Sequence, residues 1–176
     1  MPTVTYKNQP AIHATRGAVP LAGNSHLYTV KKVLWPNSIQ EFLTTQFIGN
    51  TLHICCGASQ IGNVRLDLDI EHSPNIICDA SKLCVKDNGF ETVLCDPPYN
   101  GKFQWNHDLL KELSRIASKR IIFQQWYLIT DKNGRFKKDH RFILTNLYVW
   151  QPKTYFGRAN IISVLDKIGE IEGEEE

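Results

Sequence analysis

The residues best suited to chemistry in this 176-residue chain are the run Asp96-Pro97-Pro98-Tyr99, followed by Asn100. Consecutive prolines have a fixed φ and no N–H to donate, and the residue before a proline is pushed towards extended backbone. The run therefore predicts a rigid turn whose carbonyls face outward with no donor competing for them. The Asp96 carboxylate adds an acceptor and Tyr99 a flat aromatic face. Acceptors beside a stacking surface are what a site needs to hold a planar base by an exocyclic amine. Two prolines also simply end strands. Taken alone the run supports both readings equally, and what precedes it decides between them.

Short apolar runs divided by turn residues lead up to it. Segments 51–56, 63–68, 74–78 and 91–95 read as buried strands, and 120–129 as another. The spacing of Ile39, Phe42, Leu43 and Phe47 predicts a helix over 37–49, with Asn37 or Ser38 as N-cap and Gly49 as terminator. A stripe of Leu109, Leu110, Leu113, Ile116 and Ala117 predicts a second helix over 105–119. Segments 142–150 and 160–166 predict a C-terminal antiparallel hairpin, and residues 1–36 read as an irregular lead-in. Solidly apolar strands alternating with helices give an α/β fold, a mostly parallel sheet covered by helices on both faces. One domain over 1–169 is expected, with 170–176 as an acidic, disordered tail. Ligands in such sheets bind beyond the carboxyl ends of the strands. The unusual residues stand there: Gly57, then Asp67 and Asp69, then Asp79, then Asp96 to Tyr99.

LHICCGASQIG followed by DPPY resembles the class I S-adenosylmethionine-dependent methyltransferases of the amino-methyltransferase group, which includes the adenine-N6 DNA methyltransferases. The resemblance covers residues 50–166. The stretch DASKLCVKDNGFETVLCDPPY resembles a family run in which Asp-Ala follows the third strand and Phe-Asp-x-Val leads into DPPY. Here Glu91 replaces that aspartate and Cys84 stands where a proline is common. The resemblance implies a Rossmann-like methyltransferase, S-adenosyl-L-methionine as cofactor, and methylation of a base amine, adenine N6 in DNA before cytosine N4 in DNA or a base in RNA. It implies that the turn Cys56-Gly57-Ala58-Ser59 admits the methionine part of the cofactor. Asp67, with Asp69 as the alternative, would accept from the ribose, and Asp79 with Ala80 would bind the adenine ring. Asp96 and the Pro97 carbonyl would accept from the target amine, Asp96 also bordering the cofactor; Pro98 would stiffen the turn and Tyr99 stack on the flipped base. Such a displacement is governed by positioning and demands no general base with a shifted pKa. One departure concerns the chain between the first and second strands: the short interval from Gly62 to Asp67 leaves at most a turn where the family has a long helix.

Composition bounds the partners. The 18 acidic residues less the five glutamates of 170–176 leave 13 against 20 basic ones, a body charge of +7 that suits a polyanion. In 131–141, Lys132, Arg135, Lys137, Lys138 and Arg141 flank an Asn-Gly turn; they read either as a phosphate grip at the pocket mouth or as a solvated surface turn. Lys153 and Arg158, with Tyr155 and Phe156 between them, suit base and backbone contacts, or packing at a hairpin end. DNA is the expected partner, with RNA as the alternative and a protein subunit for target recognition, since no separate recognition domain is visible. A catalytically inactive nucleic-acid-binding subunit is the rival from another class, disfavoured because Asp96 and Tyr99 are both present. A nicotinamide enzyme fits less well, since the turn is G-x-x-x-x-G. Five cysteines without a C-x-x-C pair suit a reducing compartment and no metal. No apolar run has the ~20 residues of a membrane span, and the start lacks the pattern of a leader. A cytoplasmic protein is expected. His53 reads as a core histidine, and Trp35, Pro36 and Phe103 as pocket lining or packing.

Overall fold

The computed structural model describes residues 3–5, 18–20, 28–30, 35–98, 107–125, 128–150 and 160–168. In chain order these form β1 (Thr3–Thr5), β2 (Ala18–Pro20), β3 (Tyr28–Val30), α1 (Asn37–Thr44), β4 (Thr51–Ile54), β5 (Val64–Asp67), a 3₁₀ turn (Ile70–His72) and β6 (Ile76–Ile77). They continue with β7 (Phe90–Cys95), α2 (His107–Ile116), β8 (Ala117–Gln125), β9 (Phe142–Trp150) and β10 (Asn160–Lys167). One eight-stranded sheet has the order β1-β9-β10-β8-β7-β4-β5-β6. Strands β4 to β8 pair in parallel, and β10 runs antiparallel between β8 and β9. The lead-in is not wholly irregular: β1 adds a parallel edge strand beside β9, and β2 pairs with β3 in a separate ribbon.

Alternate residues of the central strands face two cores, which is why those strands are apolar throughout. Val93, Cys95, Ile121 and Phe123 pack with Leu52 and Ile54 against Leu109, Leu113 and Ile116 of α2. Leu94, Ile122, Ile162 and Val164 pack against Trp35 and, from α1, Ile39 and Leu43. Asp108 in the first turn of α2 and Arg115 in its last complement the helix dipole. Helix α1 departs from its expected caps. Pro36 holds the N-cap position with no side-chain bond, and the Ser38 hydroxyl is buried without a partner. The helix ends at Thr44, where the hydroxyls of Thr44 and Thr45 bond back to the Glu41 and Phe42 carbonyls. Gly49 instead turns the chain into β4 at φ 56°, where any Cβ would run into the Glu91 carboxylate. Glu91 accepts from the Asn50 amide at 2.9 Å, so the side chain standing in for an aspartate braces this turn.

Residues 55–63 join β4 to β5 without a helix, shorter than the usual parallel crossover. Gly62 makes that possible: at φ 96° its position would bring a Cβ to 3.2 Å from the His53 Cβ, so the chain lies directly along β4. The Asn63 amide then donates to the Thr51 carbonyl, and the Thr51 amide to the Asn63 side chain. Residues 68–75 and 78–89 hold no helix beyond the 3₁₀ turn. Leu68, Ile70 and Ile77 are accordingly exposed at this margin of the sheet.

Candidate active site at the switch point

The order β6-β5-β4-β7-β8 is the 3-2-1-4-5 order of a doubly wound sheet, in which ligands sit where the order reverses. That point lies between β4 and β7, paired through Ile54 and Cys95. Beyond Ile54 the backbone turns left-handed at Cys55 (φ 56°) and Gly57 (φ 51°). A left-handed cysteine is uncommon, and such strain gathers at functional sites. The turn closes through the Ser59 amide on the Cys56 carbonyl at 3.0 Å. The buried Ser59 hydroxyl donates to Gln40 Oε1 at 2.9 Å, and Gln40 donates to the Trp35 carbonyl, so α1 pins the turn.

Asp67 is the last residue of β5, and its carboxylate faces that turn. It accepts from the Gly57 amide at 2.8 Å through Oδ2 and from the Asp69 amide at 2.9 Å through Oδ1, with His72 Nδ1 at 3.4 Å. Asp69 lies past the strand end and caps the 3₁₀ turn by accepting from the Glu71 amide. The strand stops at Asp67, and of the two carboxylates only that of Asp67 touches the glycine turn. Asp79 follows β6 and is exposed, and the Ser81 amide and hydroxyl hold its carboxyl below the usual carboxylate range. Ala80 is buried in the α2-side core. Arg115 fixes the chain after them: it pairs with Glu112 and Asp87 and donates to the Leu83 and Val85 carbonyls.

At the end of β7 the Asp96 amide donates to the Ile54 carbonyl at 3.4 Å, so the ladder with β4 reaches into the motif. Asp96 is half-buried, Pro97 buried and Pro98 exposed. Tyr99 lies outside the described residues, as do Phe103, Lys153 and Arg158. Burial pushes the Cys95 thiol up, reinforced by the thiol of Cys55 beside it, and pushes Cys56 up to about 11. Protonated at neutral pH, neither Cys56 nor Cys95 is a nucleophile. Among the described residues no group of three or more His, Cys, Asp or Glu is placed to hold a metal ion.

Two glutamines escaped the sequence reading. Gln124 and Gln125 end β8 and are 2% and 0% exposed. The last β7–β8 pair is Cys95 with Phe123; Asp96 and Pro97 follow it on one chain segment, and Gln124 and Gln125 follow it on the other. The change from Ile-Ile-Phe to Gln-Gln inside a buried strand was the available signal. A buried, unpartnered polar group costs about 1–3 kcal/mol, and both polar atoms of the Gln125 carboxamide are in that position, so this side chain needs a reason beyond packing.

The basic segment is not at this site. Strand β9 is parallel to β8, so 128–141 returns the chain from the carboxyl edge to the amino edge. Arg135 bridges to Ile143, and Gly134 accepts from Leu144, at the start of β9. Trp150 is at the carboxyl edge, eight residues on and ~26 Å away. Lys132, Arg135 and Lys137 are exposed, Lys138 is half-buried, and all four lie at the wrong end for the pocket mouth.

His53 behaves as a core residue with one exception. Its ring stacks on Trp35 at 5.3 Å, and Nδ1 donates to the Ile61 carbonyl at 3.2 Å, while Nε2 is buried without a partner. Desolvation lowers its pKa to about 4. Below its ordinary 6.5 the unfolded chain takes the proton first, so stability falls as pH drops from about 6.5 to 4, by up to ~3 kcal/mol. Urea titrations at pH 7.5 and 4.5 check this: His53→Gln should flatten the difference, and an unchanged slope would assign it elsewhere.

No family model matches the sequence, and no curated protein matches it significantly. Solved structures do match. A SAM-dependent methyltransferase from Methanosarcina mazei superposes with a TM-score of 0.52 at 14% identity, covering 73% of this chain and 98% of that one. The chain has the Rossmann-like fold of methyltransferases. A proposed RNA methyltransferase from Pyrococcus horikoshii gives 0.52 at 13% identity, covering 76% and 81%. The 1,6-didemethyltoxoflavin-N1-methyltransferase of Burkholderia thailandensis, with its substrate and S-adenosylhomocysteine bound, gives 0.50 at 11%, covering 75% and 76%.

Proposed function

We propose that the protein is an S-adenosylmethionine-dependent methyltransferase acting on the exocyclic amine of a nucleic-acid base, adenine N6 in DNA. The observation that carries the reading is the placement of Asp96-Pro97-Pro98 at the end of β7, next to the strand that runs into the left-handed turn at Gly57, across the switch point. The residues fit the cofactor. The turn at Cys56, Gly57 and Ser59 is held open from both sides, by Asp67 on its amide and Gln40 on its hydroxyl. Asp67 has lone pairs left for ribose hydroxyls, and Asp79 with Ala80 follows the next strand at the place for the adenine ring. When bound, the cofactor supplies an electrophilic methyl group on a sulfonium. Asp96 and the Pro97 carbonyl accept from the target amine and aim its lone pair, and Tyr99 stacks on the base. Positioning of this kind accounts for several kcal/mol of a barrier.

The body charge of +7 supports a polyanionic substrate. Lys153 and Arg158, which fall in the sequence between the end of β9 and the start of β10, are the phosphate contacts of this reading. Lys132, Arg135, Lys137 and Lys138 would touch only nucleic acid that reaches round to the amino edge. The test is transfer of tritiated methyl groups from S-adenosylmethionine to unmethylated duplex DNA, denatured DNA and total RNA. Label in DNA supports the reading, label in RNA alone moves the substrate, and label in none of them overturns it.

A further inference from the structure

Gln125 closes β8 on the face shared by Ile121 and Phe123, two residues beyond the last β7–β8 pair of Phe123 with Cys95, which itself stands two residues before Pro97. It is fully buried, yet neither its Oε1 nor its Nε2 has a hydrogen-bond partner. More than nine-tenths of buried polar groups in folded proteins are paired, and a leucine or methionine would fill the same volume without that loss. A side chain kept polar under those conditions is suited to a ligand that brings the missing partners. Its place selects the ligand: the Pro97 carbonyl is one of the two acceptors assigned to the target amine, and a base held there presents a ring nitrogen next to that amine. A carboxamide offers donors and an acceptor within one plane, the match for such an edge.

We propose that Gln125 is a specificity-determining residue that donates from Nε2 to the ring nitrogen adjoining the methylated amine. This rests on the reading of the site as a base amino-methyltransferase. Asp96 and Pro97 fix the amine, and Gln125 then requires an acceptor beside it, which distinguishes a correctly oriented base from one merely stacked in the pocket. A site built to hydrogen-bond a group rejects analogues that lack it, because its own buried polar atoms are then left unpaired.

The experiment compares wild type with Gln125→Leu on the nucleic acid that wild type labels, made once with adenine and once with 1-deazaadenine or 7-deazaadenine. Gln125→Leu should lower kcat/KM at least thirtyfold on adenine, leave the Kd for S-adenosylhomocysteine unchanged and not lower Tm. On one of the two deaza substrates wild type should fall to the level of the variant, and the variant should lose nothing more. Equal kcat/KM for the two proteins, or losses that simply multiply on both deaza substrates, would overturn the assignment. Should Gln125→Leu not fold, Gln125→Met carries the same comparison. A wild type that binds S-adenosylhomocysteine but labels no nucleic acid removes the functional reading and this inference with it. A labelling wild type indifferent to Gln125 removes only the inference.

Discussion

Alanine at Asp96 is expected to reduce methyl transfer about a thousandfold in kcat, the scale on which loss of one preorganised polar group at a reacting centre is felt. The carboxylate is half-buried at the end of β7, with its backbone tied to β4 and two prolines behind it. Binding of S-adenosylhomocysteine should move far less, because the glycine turn, Asp67 and Asp79 are untouched. Single-turnover transfer with saturating cofactor separates the two effects. A variant that keeps wild-type kcat would mean that the target amine is held by other groups.

Alanine at Asp67 is expected to act on the opposite side of the site. Its carboxylate organises the Gly57 and Asp69 amides at 2.8 and 2.9 Å, and hydrogen bonds to a charged group are worth about 1.5–3 kcal/mol each. Removing it frees the glycine turn and takes away the ribose acceptor together, so cofactor affinity should fall at least a hundredfold and stability by about 2–3 kcal/mol. Asp69→Ala should cost cofactor affinity less than threefold, since Asp69 holds only the 3₁₀ turn. Calorimetric titration of both variants with S-adenosylhomocysteine decides the assignment; a larger loss at Asp69 would reverse it.

What the sequence revealed follows from how each element is buried. Segments 91–95 and 142–150 read as strands because their neighbours on both sides are strands and their faces meet α1 or α2, and β9 runs over Phe142–Trp150 as expected. The glycine turn and Asp96-Pro97-Pro98 were legible because left-handed and proline backbones leave marks in residue type. Three features were not. Strand β1 is short and stabilised by pairing with β9, a contact that no local pattern records. Caps on α1 failed because Ser38 lies inside the helix, where its hydroxyl is buried. The basic segment 131–141 read equally as a phosphate grip or a solvated turn, because charge alone does not place it; a chain joining two parallel strands must return to the amino edge, and that follows only once β10 is placed between them. Gln125 was passed over because the strand was read over 120–129, which placed Gln124 and Gln125 in its middle, whereas β8 ends at Gln125.

The most direct test of the central claim is mass spectrometry of nucleosides digested from unmethylated duplex DNA after incubation with the protein and trideuteromethyl S-adenosylmethionine. The expected result is N6-trideuteromethyl adenine, present with the wild type and lost with Asp96→Ala. Absence of any trideuteromethyl nucleoside from DNA, or from RNA treated in the same way, would contradict the assignment of this fold to base methylation.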